Sequence, residues 1–512
     1  MKFLSAALAL WFAATSYGAA YIPNGLYKNK TEAPATEITE PADDSQSAEE
    51  TPLGEITKRD GWLIEEIPAY EGGVLSADIY HGSVGLSDDH MGGKDESEMT
   101  VISKTSLEEY KNYLDLLEKT GFTREYENST EKLEIGVFSW KNLNVYVQYG
   151  KETEVAKVNL DKTSVSLSDF TCPADKNGGN TVIYQYGLVM DEKGADPVDE
   201  NSKTNCGMLY IIKLADNSLF VIDGGSQYQF GDEAIAELDR FLAEITGVKE
   251  NEKITVRCWF ITHPHSDHFG GFYKYLRRNS DKVELERIMY NFPSPRYGGE
   301  FAQYYTDRNV LGAGLLEMYP NAMYFKPHTG MKFDIGEVGV EVMYTHEDLV
   351  KNTFLTRWKK LEDSTGSMEA AAASGSGVTT ARNLNETSTI LYLTIDGKKI
   401  AILGDSDTYS ENTVIENYTP EELKADAVQA AHHAFSNLNK YYEIAKAPLA
   451  LFPQTSGGVA EFERENRSLV ANATQIFYGG DETVGIEIID GVFKDVYHGA
   501  VVGVAGGSYA FE

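Results

Sequence analysis

The sequence predicts an α/β fold in which sheets are covered by helices, preceded by a small N-terminal α/β domain. From about residue 172 onward, apolar strand-like segments alternate with helical patterns, as is typical of layered sheets with helices on their faces. One such pattern runs from Asp232 to Ile245, where apolar residues recur at helical spacing and Gly247 ends the helix. The 512 residues are enough for two or three domains and a large core.

The first 60 residues predict targeting and linker segments. Residues 1–20 have the pattern of a secretory signal peptide, because Lys2 is followed by a short apolar run and then by small residues at positions 16–20. Residues 21–60, rich in Thr, Glu, Pro, Ser and Ala, predict a disordered acidic linker. The apolar run is too short to cross a bilayer. We therefore expect a secreted, extracytoplasmic protein with no membrane span in the mature chain.

Residues 61–165 predict a small α/β accessory domain. Ser106 and Glu109 form a capping-box pattern that opens a helix, and Gly121 ends it. Alternating apolar residues on both sides of Lys141-Asn142 then predict two strands joined by a turn. No catalytic pattern occurs in this region of the sequence, so we expect a structural or interaction role.

Net charge limits the substrates that the protein can be expected to bind, and the cysteine count limits its disulfide bonds. The formal net charge of −34 describes a surface that repels phosphate backbones, which argues against long nucleic acid as a substrate. Three cysteines are too few for a disulfide framework. Cys258 lies in an apolar segment and is predicted to be a core residue, whereas Cys172 and Cys206 could pair in an oxidising compartment. Asn128 and Asn466 each begin an Asn-x-Ser/Thr glycosylation pattern.

Residue types that bind metals are concentrated in residues 262–271, Thr-His-Pro-His-Ser-Asp-His-Phe-Gly-Gly. Three of the ten histidines of the chain fall here within six positions, with an aspartate between the second and the third. An apolar strand, Val256 to Ile261, precedes the motif, and a helix-like segment, Phe272 to Arg278, follows it. His263 and His265 are two residues apart, so in an extended loop they point the same way and can hold one ion.

The spacing His-x-His-x-Asp-His followed by Gly-Gly resembles the signature of the metallo-β-lactamase superfamily. Three further segments are similar, in the same order, to strands of that family: Leu219–Gly225, Ile400–Asp405 and Asp426–His433. The resemblance covers roughly residues 180 to 500. It implies that residues 172–512 form a catalytic domain with the four-layer αββα sandwich of the family.

The resemblance also implies a centre for two metal ions. Asp267 and His268 would face the second ion, and Asp405 would arrive from a distant strand and bridge both. His432 and His433 are adjacent, so in a strand they would point in opposite directions and would not bind the same ion. We expect His433 to be the ligand of the second ion and His432 to contact the oxyanion of the substrate or donate a proton, with the reverse assignment left open. Asp267 could also orient the nucleophile.

The ion held by the two motif histidines lacks an obvious third ligand. His328 and His346 lie in the interval where many family members supply one, but neither has the expected local pattern, so we expect both to be non-ligands. His498 ends a strand, where a histidine is more often structural than a ligand. Asp223 could approach the metals or orient a ligand histidine from behind.

Two segments precede the predicted strand Ile390 to Ile395, and the sequence leaves two interpretations open for each. Asn385 and Ser388 are candidates for positioning the substrate, or are turn and cap residues before that strand. The low-complexity stretch 364–381 is either a mobile lid or a surface insertion, and we favour the insertion.

The predicted function is that of a secreted metal-dependent hydrolase. Its histidine pair is similar to competence-type and phosphorylcholine esterase members of the family, which implies cleavage of a phosphoester by a metal-bound hydroxide. The expected cofactors are two Zn²⁺ ions, with Mn²⁺ or Fe as alternatives, and the expected substrate is a small-molecule or surface-polymer ester. Two alternatives stay open: an acyl hydrolase of the lactamase or lactonase type, and a catalytically weak surface-binding protein with the same fold. Ala434, where similar members often have Gly, lends some weight to the second.

Overall fold

A computed structural model describes residues 58–76, 79–84, 96–173, 179–188, 208–227, 229–294, 305–350, 384–456 and 465–501. The predicted signal peptide, residues 21–57 of the predicted linker, Cys206 and the stretch 364–381 lie outside these residues. Three β-sheets are present in the described part of the chain.

The first sheet is antiparallel and has seven strands within the described residues. Its strand order is β1-β3-β7-β6-β5-β4, and β2 also pairs with β3. Helix α1 (Leu107–Thr120) packs its buried side chains on this sheet. The strands are β1 (Val74–Leu75), β2 (Tyr80–Val84), β3 (Glu96–Ser103), β4 (Thr123–Ser129), β5 (Leu133–Trp140), β6 (Leu143–Gly150) and β7 (Val155–Asp161).

The helix-capping and turn residues of this region adopt the conformations that the sequence predicts. The side chain of Ser106 accepts a hydrogen bond from the Glu109 amide at 3.2 Å, and Glu109 Oε2 accepts one from the Ser106 amide at 2.7 Å. Gly121 ends α1 in the left-handed conformation at φ 110°. Lys141 lies in the tight turn between β5 and β6. The predicted helix and hairpin are therefore confirmed.

The second sheet has nine strands within the described residues, in the order β15-β14-β12-β11-β10-β9-β23-β24, with β13 paired to β12. Strands β11, β12, β14 and β15 run parallel to one another, and the others at the β24 end are antiparallel. The strands are β9 (Val182–Gln185), β10 (Leu209–Lys213), β11 (Leu219–Asp223), β12 (Ile254–Phe260), β13 (Val283–Leu285), β14 (Arg287–Met289), β15 (Met323–Phe325), β23 (Thr483–Ile489) and β24 (Val492–Gly499).

The third sheet has eight strands in the described part, in the order β22-β21-β20-β19-β18-β17-β16-β8. Strands β19 to β22 are parallel, and β16 to β19 are antiparallel. The strands are β8 (Cys172–Pro173), β16 (Lys332–Gly336), β17 (Val338–Tyr344), β18 (Ile390–Ile395), β19 (Lys398–Ile402), β20 (Ala427–Gln429), β21 (Leu449–Phe452) and β22 (Gln475–Tyr478).

Helices cover the outer faces of the second and third sheets. Those that pack on the second sheet are α3 (Asp232–Thr246), α4 (Ser266–Arg278) and α5 (Tyr305–Met318), and those that pack on the third are α6 (Thr408–Asn417), α7 (Asn439–Ala445) and α8 (Arg467–Asn472). The remaining helical elements are α2 (Leu167–Phe170) and three 3₁₀ turns, His346–Leu349, Asn385–Thr387 and His432–Ala434.

The second and third sheets pack face to face around a shared core. Successive side chains of a strand point to opposite faces, so Phe220 and Ile222 of β11 enter the core between the sheets, whereas Val221 packs under the outer helices. In β12, Cys258 packs between the sheets, and Trp259 packs under the helices. The layers are therefore helix, sheet, sheet, helix, which confirms the predicted αββα sandwich and the predicted core position of Cys258.

The site lies where strands of both sheets end. Thr262 follows β12 of the second sheet, and its carbonyl accepts a hydrogen bond from the amide of Thr389, which precedes β18 of the third sheet, at 2.9 Å. Gly404, which follows β19, packs against the same Thr262. This rim therefore brings loops of both sheets together. In the described residues, no helix combines the length and apolar composition needed to cross a membrane.

Candidate metal centre

The predicted metal motif spans the end of β12 and the first turn of α4. The helix begins at Ser266, with His265 as its N-cap residue, which is earlier than the predicted start at Phe272. Gly271 lies inside the helix, where its amide donates to the carbonyl of Gly225 at 2.9 Å. Both glycines of the motif are therefore part of the helix. Without side chains, they let α4 pack closely on the turn after β11. Asp267 and His268 consequently lie in the first helical turn.

Two groups of possible ligands meet at this rim. The first group is His263, His265 and Asp405, and the second group is Asp267, His268 and His433. In each group, one ligand atom per residue can be chosen so that these atoms lie within 4.8 Å of one another. His263 Nε2 is 2.9 Å from His265 Nδ1, and His433 Nε2 is 3.5 Å from Asp267 Oδ2.

The carboxylate of Asp405 faces both groups. Its Oδ2 atom is 3.8 Å from His263 Nε2 and 3.5 Å from His433 Nε2, and its Oδ1 atom is 3.2 Å from His268 Nε2. The side chain is 2% exposed. This is the position that a bridging ligand between two ions would require.

Several buried ligand atoms of these residues have no hydrogen-bond partner among the described residues. They are His268 Nε2, His433 Nε2 and Asp405 Oδ1. Leaving buried polar atoms unsatisfied is costly, and imidazole nitrogens and carboxylate oxygens are donors that zinc and similar ions accept. The residues present therefore fit a divalent metal.

Asp223 forms a hydrogen bond with His268 of the second group, through the ring nitrogen that does not face Asp405. It ends β11 with φ 57°, and its two oxygens accept hydrogen bonds from the Thr262 amide at 2.8 Å and from His268 Nδ1 at 2.8 Å. The hydroxyl of Thr262 also lies 3.0 Å from each oxygen. Asp223 thus orients His268, so that Nε2 faces Asp405, and this geometry supports the second of its two predicted alternatives.

The turn that carries Asp405 is fixed by its neighbours. Gly404 has φ 56°, and a Cβ atom there would lie 2.9 Å from Thr262 Cβ. The amide of Asp405 donates to Ser388 Oγ at 3.0 Å, and the side chain of Gln429 bonds the Leu403 amide and the Gly404 carbonyl. Ser388 therefore supports the turn of Asp405.

The histidine pair lies in a turn, and the prediction of a strand at this position is wrong. β20 ends at Gln429, and His432 and His433 both adopt left-handed backbone angles, with φ 52° and 49°. Both Nε2 atoms consequently approach the same carboxylate, since His432 Nε2 is 3.8 Å from Asp405 Oδ2. His432 is also 3.0 Å from the side-chain amide of Asn385, and 35% of its side chain is exposed.

A family model described as the metallo-beta-lactamase superfamily matches residues 204–348, the segment that contains the His-x-His-x-Asp-His motif. The metal motif therefore lies within a domain of the metallo-β-lactamase superfamily. A domain of this superfamily indicates a hydrolase or a related metal-dependent enzyme. Asp405 and His433 complete the two groups from outside the matched segment.

Solved structures similar to this chain include the metallo-beta-lactamase fold protein YhfI from Bacillus subtilis (12% identity, 58% of this chain, 96% of that chain, TM-score 0.31). CmlA, a diiron beta-hydroxylase from Streptomyces venezuelae, has 10% identity, 68% and 74% coverage and a TM-score of 0.30. The short form of human tRNase Z has 11% identity, 58% and 91% coverage and a TM-score of 0.26. No curated protein matches the chain.

The ionisable groups of the centre shift one another's pKa values. Burial lowers the pKa of His263, and the nearby His268 adds to this effect. Burial alone would raise the pKa of Asp405, but His268 and His433 hold it well below its usual range. The pKa of Asp267 is also lowered, since its interaction with His433 outweighs burial. The two carboxylates are thus ionised and His263 is neutral, which are the forms that bind a metal. The neighbouring carboxylates outweigh burial and raise the pKa of His268, and they raise the pKa of His433 to about 9, so a bound metal would displace protons from these two rings.

Besides His432, four histidines in the described residues lie outside both groups, and one of them, His81, lies in β2. His328 is buried between Asp161 Oδ2 and Glu347 Oε2, each 2.7 Å from a ring nitrogen. His346 bonds the hydroxyl of Tyr80 at 2.6 Å and the side chain of Asn291 at 2.8 Å. His498 is exposed on β24 beside two carboxylates. Among the described residues, the first group therefore gains no third histidine.

Sequence reasoning assigned no role to some residues that shape the centre. Thr262 links Asp223 to the metal motif, and its position directly after β12 could have indicated this role. Gln429 and Asn466 support the turns of Asp405 and His433 from distant parts of the chain, and no local pattern identifies them. Asn466 is fully buried, and its amide donates to the carbonyl of Ala434 at 2.6 Å, so the folded protein does not offer it for glycosylation.

Proposed function

We propose that the protein is a secreted metal-dependent hydrolase that cleaves a phosphoester. The observation that carries this proposal is the shared carboxylate: Asp405 approaches ring nitrogens of both groups at 3.2 to 3.8 Å. Centres in which two ions lie close together act as clamps for the attacking and leaving oxygens of an in-line displacement, as in phosphatases and nucleases. We propose Zn²⁺ at both positions, with Mn²⁺ or Fe as alternatives.

The side chains around the centre suit this reaction. Ions held here would polarise a phosphoryl oxygen and lower the pKa of a bound water. Asp267 is partly exposed and ionised, so it can accept a hydrogen bond from the attacking water and hold its orientation. His432 reaches the open side of the centre, and Asn385 and Ser436 hold its ring at 3.0 and 3.3 Å. It can therefore contact the substrate oxyanion or the leaving oxygen.

The charge of the chain supports a compact ester as substrate. A net charge of −34 disfavours the approach of a long phosphate backbone. A small molecule with one phosphoester, or a single ester on a surface polymer, presents far less charge. The N-terminal signal pattern supports action outside the cytoplasm. Cell fractionation of the full chain and of a chain lacking residues 1–20 tests secretion; equal retention inside the cell would contradict it.

A substrate screen with metal quantification tests the proposed reaction. Purified protein is assayed for bound metal and for turnover of bis(p-nitrophenyl) phosphate and of a chromogenic β-lactam. We expect turnover of the phosphodiester, with a loss of at least about 100-fold in His263→Ala and Asp405→Ala. His498→Ala is the matched control, since this exposed histidine lies outside the centre. Turnover of the β-lactam alone would indicate an acyl hydrolase, and a metal-free chain without turnover would indicate a binding protein.

A further inference from the structure

The turn that carries the histidine pair has an unfavourable backbone. His432, His433 and Ala434 are three consecutive residues in the left-handed region, with φ 52°, 49° and 68°. Residues with a Cβ atom disfavour this region, and runs of them are rare. Such a turn persists only where the surrounding structure holds it.

His433 depends on this turn more than the other histidines depend on theirs. His268 is oriented by Asp223, and His263 lies 3.1 Å from the hydroxyl of Thr262. By contrast, His433 Nδ1 has no hydrogen-bond partner among the described residues, and its Nε2 faces only the carboxylates of the centre, at 3.5 Å. The backbone of the turn therefore sets where its ring meets Asp405.

Three hydrogen bonds attach the backbone of the turn to distant parts of the chain. The His432 amide donates to the Gly404 carbonyl at 3.0 Å, and the Ala431 amide donates to the hydroxyl of Tyr442 at 3.1 Å. Both of these act at the start of the turn. At its end, the carbonyl of Ala434 accepts the side-chain amide of Asn466 at 2.6 Å.

Asn466 is itself rigidly placed. It is fully buried and directly precedes α8, where its carbonyl accepts the Val470 amide at 3.0 Å. Asn439 of α7 fixes the chain on both sides of it, because its side chain bonds the Glu465 carbonyl and the Ser468 amide, each at 2.8 Å. A helix terminus thus holds the end of the turn.

We propose that Asn466 is a positioning residue that acts on the metal centre through Ala434 and His433. Its amide stabilises the left-handed turn and thereby places the ring of His433 between Asp267 and Asp405. This inference rests on the metal centre of the proposed function, and it does not depend on which ester is cleaved. Asn466 touches neither ion nor substrate.

Zinc affinity without substrate tests the proposal. Asn466→Asp keeps the size of the side chain and removes the amide donor, and Asn466→Ala removes the whole group. We expect both to bind one Zn²⁺ equivalent at least about tenfold more weakly in a competition titration with a chromophoric chelator. Ala434→Gly, which adopts φ 68° without a Cβ penalty, should recover most of that affinity when combined with Asn466→Ala.

Asn279→Ala is the matched control. Asn279 is also buried and donates its amide to a backbone carbonyl, that of Tyr275, at the far end of α4. We expect it to lower the melting temperature and leave zinc affinity within about twofold. Unchanged zinc affinity in both Asn466 variants would overturn the proposal, as would an equal loss in the control or a loss that Ala434→Gly does not relieve. Wild-type zinc binding without phosphodiester turnover would refute the proposed reaction and leave this inference intact.

Discussion

Replacing Asp223 by asparagine tests how the centre fixes His268. In the folded protein, one carboxylate oxygen accepts the Thr262 amide and the other accepts His268 Nδ1, both at 2.8 Å. An asparagine side chain has one acceptor and one donor at these two positions. If the asparagine amide faces Thr262, two N–H donors meet. If it faces His268, the ring must move its proton from Nδ1 to Nε2, the atom that faces Asp405, or two donors meet there instead.

The size of the effect follows from the burial of these groups. Asp223 and His268 are almost fully buried, so water cannot replace the lost hydrogen bond. A buried donor without a partner costs about 1–3 kcal/mol. Since about 1.4 kcal/mol corresponds to a factor of ten, we expect Asp223→Asn to weaken metal binding roughly 10- to 100-fold, as is usual for residues that orient metal ligands.

The assay is a competition titration of Zn²⁺ against a chromophoric chelator, with thermal unfolding of the metal-free protein measured in parallel. Asp216→Asn is the matched control, because Asp216 also accepts a backbone amide, that of Ser218, and pairs with Arg257 away from the centre. We expect it to leave zinc affinity unchanged. Wild-type zinc affinity in Asp223→Asn would refute the argument that Asp223 sets the tautomer of His268.

Three further outcomes are expected. Gly404→Ala should lower the unfolding free energy by about 1–3 kcal/mol and weaken metal binding, because its φ of 56° is left-handed and the new Cβ would press on Thr262; a wild-type melting curve would contradict this. Removal of metal with EDTA should lower the melting temperature of the wild type, and should have no effect in Asp405→Ala. The two carboxylates beside His328 outweigh burial and raise its pKa to about 9. Because this folded-state pKa lies above the unfolded value, the stabilisation is complete below about pH 6.5 and is lost towards pH 9, on the order of 3 kcal/mol. Unfolding free energies measured across this range should decline more steeply in the wild type than in His328→Gln, and equal slopes would contradict this.

Much of the fold follows from local signals. The capping box at Ser106, the left-handed Gly121 and the helix closed by Gly247 act within a few residues, so the sequence contains all that is needed to predict them. The start of α4 was predicted too late. The helix was predicted from Phe272, but Gly270 and Gly271 already lie within it, where they allow close packing against the turn after β11. That packing partner is distant in sequence.

The site was likewise predicted only in part from the sequence. The His-x-His-x-Asp-His spacing identified four residues of the two groups, because neighbouring ligands on one loop leave a pattern in the sequence. The orientation of the histidine pair was predicted wrongly, since adjacent residues were assumed to follow strand geometry. The left-handed angles at His432 and His433 bring both rings towards one carboxylate, and those angles are held by Gly404, Tyr442 and Asn466.

The sequence by itself determined the αββα class, the metal motif and the residues that could complete it. The layering of sheets and helices and the metal motif follow from periodicity and short-range spacing. The four-layer arrangement and the residues that could complete the site followed from the resemblance of four sequence segments to the superfamily. Only the tertiary structure decided which atoms of Asp405 face each group, that Asp223 orients His268, and that His328 and His346 are engaged elsewhere. Each of these depends on contacts between residues far apart in the chain, which form only when the two sheets pack together and bring their strand ends to a common rim.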